Sequence, residues 1–151
     1  MSDQTNLKEK EDLEPILNQL TDNFDSMMLN DKLLRGVYAV GYETPSSIQQ
    51  RAIMPIHLSS RDIIVQAQSG TGKTATFSIG ILQKLDLKIK NCQTIILSPT
   101  RELAEQTHIV VKNLSQYLKE LRMSLSIGGT LVSQNISEIE NGCQLVIGTP
   151  G

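Results

Sequence analysis

Hydrophobic and polar positions alternate between two periods along residues 26–148. Apolar residues at helical spacing predict five helices, at about 30–40, 46–57, 73–85, 101–118 and 131–140. Short β-branched apolar runs predict four strands, at 62–66, 94–98, 123–127 and 144–148. Strands that are apolar throughout and separated by helices are typical of a parallel sheet covered by helices on both faces. The sequence therefore predicts a doubly wound α/β fold, with ligands beyond the carboxyl ends of the strands.

Composition narrows the class of protein. With 39% hydrophobic and 20% charged residues, the 151-residue chain is typical of a single globular domain. Two cysteines, Cys92 and Cys143, form no disulfide framework, which favours a reducing compartment. No apolar run approaches the roughly 20 residues of a membrane span. A net charge of −2 excludes histone-like nucleic-acid binding but is compatible with a local basic groove.

The beginning of the chain differs from the rest in charge. Residues 1–35 carry four basic and eight acidic side chains, and residues 1–22 show only fragments of apolar periodicity. We expect residues 1–22 to be a flexible acidic lead-in to the folded domain.

The loop after the first predicted strand has the composition of a phosphate-binding loop. It runs Ala67-Gln68-Ser69-Gly70-Thr71-Gly72-Lys73-Thr74 and opens a predicted helix. Glycines let successive backbone N–H groups turn inward around an anion, and the helix start adds its positive end. Lys73 would reach the β- and γ-phosphates, and the Thr74 hydroxyl would bind Mg²⁺. The loop therefore predicts nucleoside triphosphate binding, although Ala67 stands where such loops usually begin with glycine.

The later predicted strands also end in polar or glycine-rich segments. These are Pro99-Thr100-Arg101-Glu102, Gly128-Gly129-Thr130 and Thr149-Pro150-Gly151. Parallel strands place such segments on one rim of the sheet, where hydroxyls and backbone N–H groups suit the repeated phosphates of a polymer. Helix capping by Thr100 and an ordinary glycine turn are equally good interpretations of the spacing.

These motifs, in this order and spacing, resemble the first half of a DEAD-box RNA helicase. The run 41–49 resembles the Q motif of that family, with Phe24 seventeen residues upstream. Residues 34–36 and 47–53 resemble the group of eukaryotic translation initiation factor 4A, which has exon-junction and nucleolar relatives. The resemblance implies a three-layer RecA-like fold, with residues 23–151 forming an incomplete N-terminal ATP-binding domain and the second RecA-like domain absent.

The resemblance also implies roles for individual residues. Gln49 would bind the edge of adenine, Phe24 would cover one face of the base, and Tyr42 and Thr44 would lie beside it. Lys73 and Thr74 would be the catalytic residues, with ATP and Mg²⁺ as cofactors. The RNA backbone would meet, independently of base sequence, the three strand-end segments, which are Pro99–Glu102, Gly128–Gly129 and Thr149–Gly151. Tyr42 is equally well explained as an aromatic residue packed on the core.

The resemblance leaves the biological role open. The Asp-Glu-Ala-Asp and Ser-Ala-Thr motifs of the family do not occur in the 151 residues, so we expect this chain alone to be inactive. The leading interpretation is the first half of an ATP-dependent RNA helicase, with a translation-initiation role in the cytoplasm and an initiation-factor scaffold as partner. The alternatives are a non-catalytic ATP- or RNA-binding fragment, or a nuclear exon-junction or ribosome-biogenesis helicase. We expect a monomer that does not bind membranes.

Overall fold

The computed structural model describes residues 20–150, so Gly151 and most of the predicted lead-in 1–22 lie outside the described residues. A short 3₁₀ turn at Asp25–Met27 precedes five helices and three strands. The helices are α1 (Asp31–Ala39), α2 (Ser47–Leu58), α3 (Lys73–Lys84), α4 (Arg101–Leu114) and α5 (Val132–Glu140). The strands are β1 (Thr94–Leu97), β2 (Met123–Ser126) and β3 (Leu145–Gly148).

The three strands form a parallel sheet in the order β1-β3-β2. Ile96 pairs in register with Ile147, and this row of side chains faces the main hydrophobic core. The neighbouring row, which includes Ile95 and Ser124, faces the other side, where Ser124 Oγ donates a hydrogen bond of 2.7 Å to Glu138 of α5. Helices therefore lie on both faces, and the predicted α/β architecture is confirmed.

The predicted strand at 62–66 is wrong. Residues 62–66 form no strand, and Ile64 is 98% exposed. Val65 lines a cavity of about 360 Å³ together with Ile96 and Leu97 of β1, so the segment runs beside the free edge of β1 without pairing to it. A β-branched run becomes a strand only where a neighbour satisfies its backbone N–H and C=O groups, and here no described segment does.

Caps fix the ends of the helices. Asn30 accepts a hydrogen bond from the Leu33 N–H at the start of α1. The Thr100 hydroxyl accepts one from the Leu103 N–H at the start of α4, so the capping interpretation of Thr100 is confirmed. Helix α4 ends at Leu114, four residues before the predicted end, because the chain turns there and the Leu118 N–H bonds to the Ser115 carbonyl.

The core lies between the sheet and helices α1 to α4. Phe24, Met27 and Leu33 are fully buried in it, so the chain is tied to the core from just before α1 onward. Helix α1 lies close to the end of α4 at Gly36, where a Cβ atom would be 1.9 Å from the Leu114 carbonyl oxygen. Between residues 20 and 150, none of the helices has the length and apolar character needed to cross a bilayer.

Candidate nucleotide and RNA site

The predicted phosphate loop lies at the start of α3. Gly70 and Gly72 have φ angles of 78° and 91°, in the left-handed region that glycine adopts without strain. Gly72 is the N-cap, so Lys73 and Thr74 occupy the first turn of the helix. The loop thus places backbone N–H groups and the positive end of the helix dipole around one point, which is the arrangement that binds an anion.

The Lys73 side chain folds back over this loop. Its Nζ donates hydrogen bonds of 2.6 Å to the carbonyl oxygens of Ala67 and Gln68. Thr71 Oγ1 donates a third bond, of 2.8 Å, to the Gln68 carbonyl, which closes the loop on itself. Because carbonyl oxygens are weaker partners for an ammonium group than phosphate oxygens are, Lys73 can exchange them for a bound phosphate.

The start of α2 is joined directly to the phosphate loop. Gln49 and Ser46 form a capping box, in which Gln49 Oε1 accepts the Ser46 N–H at 2.8 Å. Ser46 Oγ also donates a hydrogen bond of 2.9 Å to the Thr71 carbonyl. A Cβ atom on Gly72 would lie 2.9 Å from Gln49 Nε2, so the Gln49 amide packs against the loop at the point where only glycine fits.

A cavity of about 360 Å³ opens between the phosphate loop and β1. Lys73 and Thr74 line one side of it, and Ser98 and Pro99 line the other. Magnesium at such sites takes one or two protein oxygens and completes its shell with phosphate oxygens and water. Thr74 is partly buried and lines this cavity, and its hydroxyl fits the role of the protein oxygen that holds Mg²⁺ beside a triphosphate.

The other residues predicted to contact the base, Phe24, Tyr42 and Thr44, differ from one another in burial. Phe24 is fully buried and packs edge-on against Tyr38, with ring centroids 6.3 Å apart. Its predicted place over a base stays a prediction, and it requires the ring to leave this packing. Tyr42 is partly buried against the core, in line with the packing interpretation, and Thr44 is exposed.

The strand-end segments come together on one rim of the sheet. The Arg101 guanidinium lies against Gly128, where a Cβ would be 2.5 Å from its Nη2, and within 3.7 Å of the Cβ position of Gly129. The Thr149 N–H donates a hydrogen bond of 3.2 Å to the Ser126 carbonyl at the end of β2. The predicted convergence of these segments is confirmed for the described residues, and their contact with RNA stays a prediction.

Glu102 lies on the same rim, in the first turn of α4. Hydrogen bonding by its own backbone N–H and by the Thr100 hydroxyl holds the pKa of its carboxyl below the ordinary value. A carboxylate that is charged at neutral pH beside Arg101 reduces the positive charge of the rim, so Glu102 is the least suited of the predicted RNA contacts to meet a phosphate directly.

Sequence reasoning missed a second cavity, of about 350 Å³, on the other side of the phosphate loop. Ser46, Ile48 and Arg51 of the α2 region line it, opposite Gln66 and Ala67. The signal was present in the sequence, because Ser46 to Gln49 has the S-x-x-Q spacing of a capping box. Arg51, one helical turn beyond Ser47, could not be identified without the position of the loop.

Comparisons with known proteins decide the family. A family model described as DEAD/DEAH box helicase matches residues 46–151. The chain belongs to this helicase family. The helicase domain is 53% identical to eukaryotic initiation factor 4A of Drosophila melanogaster, over 92% of this chain and 34% of that protein. It is also 53% identical to the ATP-dependent RNA helicase eIF4A of Schizosaccharomyces pombe, over 92% of this chain and 35% of that protein.

Solved structures agree with this assignment. The helicase domain matches a DEAD box protein from Methanococcus jannaschii with a TM-score of 0.80 and 32% identity, over 87% of this chain and 35% of that one. It matches S. cerevisiae Dbp5 L327V bound to RNA and ADP BeF3 with a TM-score of 0.75 and 37% identity, over 87% of this chain and 32% of that one. The chain thus spans about a third of the length of these relatives. Its eIF4A-like sequence and RecA-like fold are as predicted.

Proposed function

We propose that this domain is the ATP-binding half of an eIF4A-like ATP-dependent RNA helicase. The observation that carries the proposal is the junction of the capping box with the phosphate loop, in which Ser46 holds the Thr71 carbonyl and Gln49 packs on Gly72. A base bound at Gln49 and a triphosphate bound in the loop would share one continuous surface. Relatives described as ATP-dependent RNA helicases, and a neighbour bound to ADP BeF3, support the choice of adenine nucleotide.

In the proposed complex, Lys73 leaves the Ala67 and Gln68 carbonyls for the β- and γ-phosphates, and backbone N–H groups of the loop hold the remaining oxygens. Thr74 holds Mg²⁺, which would neutralise the charge that develops on the transferred phosphoryl group. Gln49 donates to adenine N7 and accepts from N6, because a carbonyl oxygen that already caps a helix has a second lone pair.

RNA is proposed to cross the rim formed by Arg101, Gly128, Gly129 and Thr149. Arg101 supplies the positive charge, and the two glycines leave the backbone open to a close approach. These groups recognise phosphate and ribose rather than base edges, so binding is expected to be independent of sequence. The neighbour bound to RNA supports this choice of polymer.

The wider biological assignment rests on the eIF4A relatives. We propose a cytoplasmic role in translation initiation with an initiation-factor scaffold as partner, and a nuclear role as the alternative. The alternative is non-catalytic binding of ATP or RNA by these 151 residues. Because residues 1–151 alone are expected to be inactive in both cases, the two functions are separated by ATP turnover after this domain is joined to the remaining part of an eIF4A relative.

The Lys73→Ala variant tests the nucleotide site. Removing a charge-assisted contact is expected to weaken ATP binding by more than about 1 kcal/mol, which is at least fivefold in the dissociation constant measured by calorimetry. Lys112→Ala removes an exposed lysine on α4 and is the matched control, with unchanged affinity expected. Unchanged ATP affinity in a folded Lys73→Ala protein would refute the proposed site.

A further inference from the structure

The opposite end of the sheet carries a third cavity, which contains none of the residues assigned to nucleotide or RNA binding. It measures about 550 Å³ and lies where β3 and β2 begin, at the amino ends of the strands. Because the strands are parallel, this end is separated from the nucleotide and RNA rim by the full length of the sheet. The lining residues are Lys32, Leu87, Lys88, Lys90, Lys119, Glu120, Arg122 and Gln144.

Cations dominate this lining. Of the twelve lysines and arginines in residues 20–150, five line the cavity, although the chain as a whole has a net charge of −2. The lining contains one carboxylate, Glu120, whose Oε1 lies 3.3 Å from Lys32 Nζ. A second carboxylate, Asp86, is close in sequence and accepts the Lys88 backbone N–H at 2.9 Å. An excess of positive charge therefore faces the hollow.

The fold fixes the position of one of these cations, Arg122, and leaves two others, Lys88 and Lys90, without a side-chain partner among the described residues. Arg122 Nη1 donates a hydrogen bond of 2.8 Å to the Asn141 carbonyl, which fixes its guanidinium at the start of β2. The buried Gln144 side chain accepts the Arg122 N–H at 2.9 Å and so ties β3 to the same wall. Lys88 and Lys90 make no side-chain hydrogen bond or salt bridge within the described residues, so both ammonium groups are available to a ligand.

We propose that this cavity binds a compact anion that carries several phosphate groups. Three separate segments bring their charges around one hollow, whereas a nucleic-acid strand would be matched by charges spread along a line. The volume lies within the range of small-molecule sites. Lysines act as mobile point charges that suit phosphates of varied geometry, and Arg122 can add a bidentate contact.

Calorimetry with inorganic tripolyphosphate tests the proposal. The whole chain is used in a Lys73→Ala background, because the phosphate loop would otherwise bind the same probe. Charge reversal of two cations, Lys88→Glu with Lys90→Glu, is expected to weaken binding at least tenfold, and the neutral pair Lys88→Gln with Lys90→Gln is expected to weaken it less. Lys112→Glu is the matched control outside the cavity, and it is expected to change the affinity less than twofold.

Two results would overturn the inference. One is equal tripolyphosphate affinity in the parent and in folded Lys88→Glu, Lys90→Glu protein. The other is an affinity for single-stranded RNA oligonucleotides that depends on Lys88 and Lys90, increases with RNA length and exceeds that for tripolyphosphate, because this would identify an extended surface. Orthophosphate binding more weakly than tripolyphosphate, with the same dependence on the two lysines, supports a site for several phosphates. Since ATP binding to the unaltered loop is measured separately, failure here leaves the helicase proposal intact.

Discussion

At the scale of single residues, the Gln49 side chain has both a structural role and a proposed binding role. Its side-chain oxygen caps α2 by accepting the Ser46 N–H, and its amide packs on Gly72 of the phosphate loop with only 3% of the residue exposed. The proposed adenine contact uses the same amide. A substitution that removes the whole amide would therefore weaken the helix start as well as base recognition, so the two effects have to be separated by the choice of variant.

The Gln49→Glu variant separates them. Glutamate keeps the oxygen that caps the helix but has no N–H₂ group to donate to adenine N7, so we expect a near-native fold and loss of the preference for ATP over GTP. Gln49→Ala should lose both the preference and roughly 1 kcal/mol of stability. Competition between ATP and GTP, with urea unfolding of both variants, measures the two effects. Equal competition by GTP and ATP in the unaltered protein would contradict the adenine assignment.

The residues that could be identified from the sequence are those whose role follows from local spacing. Gly70, Gly72 and Lys73 belong to one short loop, and a strand-like run before it with a helix after it was enough to predict its place. Phe24 shows where prediction from local spacing stops. Its place beside a base was predicted only from the resemblance to the helicase family, whereas the structure packs its ring against Tyr38 in the core. Burial of a single aromatic residue depends on tertiary contacts that spacing does not reveal.

At the scale of elements, the crossing of α1 and α4 depends on Gly36. A Cβ at this position would lie 1.9 Å from the Leu114 carbonyl oxygen, and a backbone atom cannot move aside as a flexible side chain can. We expect Gly36→Ala to lower the free energy of unfolding by at least about 2 kcal/mol through overpacking, despite the better helix propensity of alanine. Urea denaturation measures this. The control is Val40→Ala at the exposed end of the same helix, where a change below about 0.5 kcal/mol is expected.

The end of α2 supplies a dependence on pH. His57 Nε2 lies 3.1 Å from the Met27 carbonyl, and burial lowers the pKa of its imidazole despite this bond, with nearby Lys84 acting in the same direction. The unfolded chain then binds a proton more readily than the folded one, so stability is full above about pH 6.5 and is lost as the pH falls below it.

We expect lower stability at pH 5.5 than at pH 7.5 in urea unfolding, and a smaller difference in His57→Gln, which can still donate to the Met27 carbonyl. Burial lowers the pKa of His108 as well, so part of the difference should remain in that variant. Glu102 and Glu120 have carboxyl pKa values below the ordinary range and do not titrate in this window. Identical pH profiles in the two proteins would rule out His57 as the responsible group.

The strand predicted at 62–66 shows why element prediction fails at an unpaired edge. Its β-branched composition is that of a buried strand, yet Ile64 is 98% exposed. A cavity, and not a paired strand, separates this segment from β1. The other three strands were predicted to within a residue or two because they pair with one another through β3. Composition records the preference of a segment for extended backbone, whereas pairing is a property of the sheet.

At the scale of the whole molecule, positive charge lies at three separate places on the sheet. The nucleotide loop holds Lys73, the proposed RNA rim holds Arg101, and the proposed polyphosphate cavity gathers five cations at the opposite end of the sheet. The sequence could not reveal the last group, because Lys32, Lys88 and Lys119 are far apart along the chain and meet only when the core forms. A slightly acidic protein can therefore present separate basic sites to different anions.

Residues 1–151 by themselves are expected to bind RNA weakly and to leave ATP unhydrolysed. Phosphoryl transfer in this chemistry needs an acidic side chain to hold Mg²⁺ together with the Thr74 hydroxyl, and the Asp-Glu-Ala-Asp motif does not occur in these residues. We expect ATP turnover indistinguishable from buffer, with or without RNA, in a phosphate-release assay. Binding of single-stranded RNA should be weak, insensitive to base sequence, and steeply reduced by salt, because the rim offers phosphate contacts and one arginine.

A chimera provides the matching positive control. It joins residue 151 to the remaining part of the S. pombe eIF4A chain, of which this domain covers 35%. If the nucleotide loop binds ATP and the rim binds RNA as proposed, the chimera should gain ATPase activity that depends on Lys73. Its RNA binding should depend on Arg101 and tighten with ATP. An inactive but folded chimera would count against these proposed binding roles. RNA-stimulated ATP hydrolysis by residues 1–151 alone would contradict the prediction, because the catalytic oxygens would then have to come from side chains other than those of the missing motif.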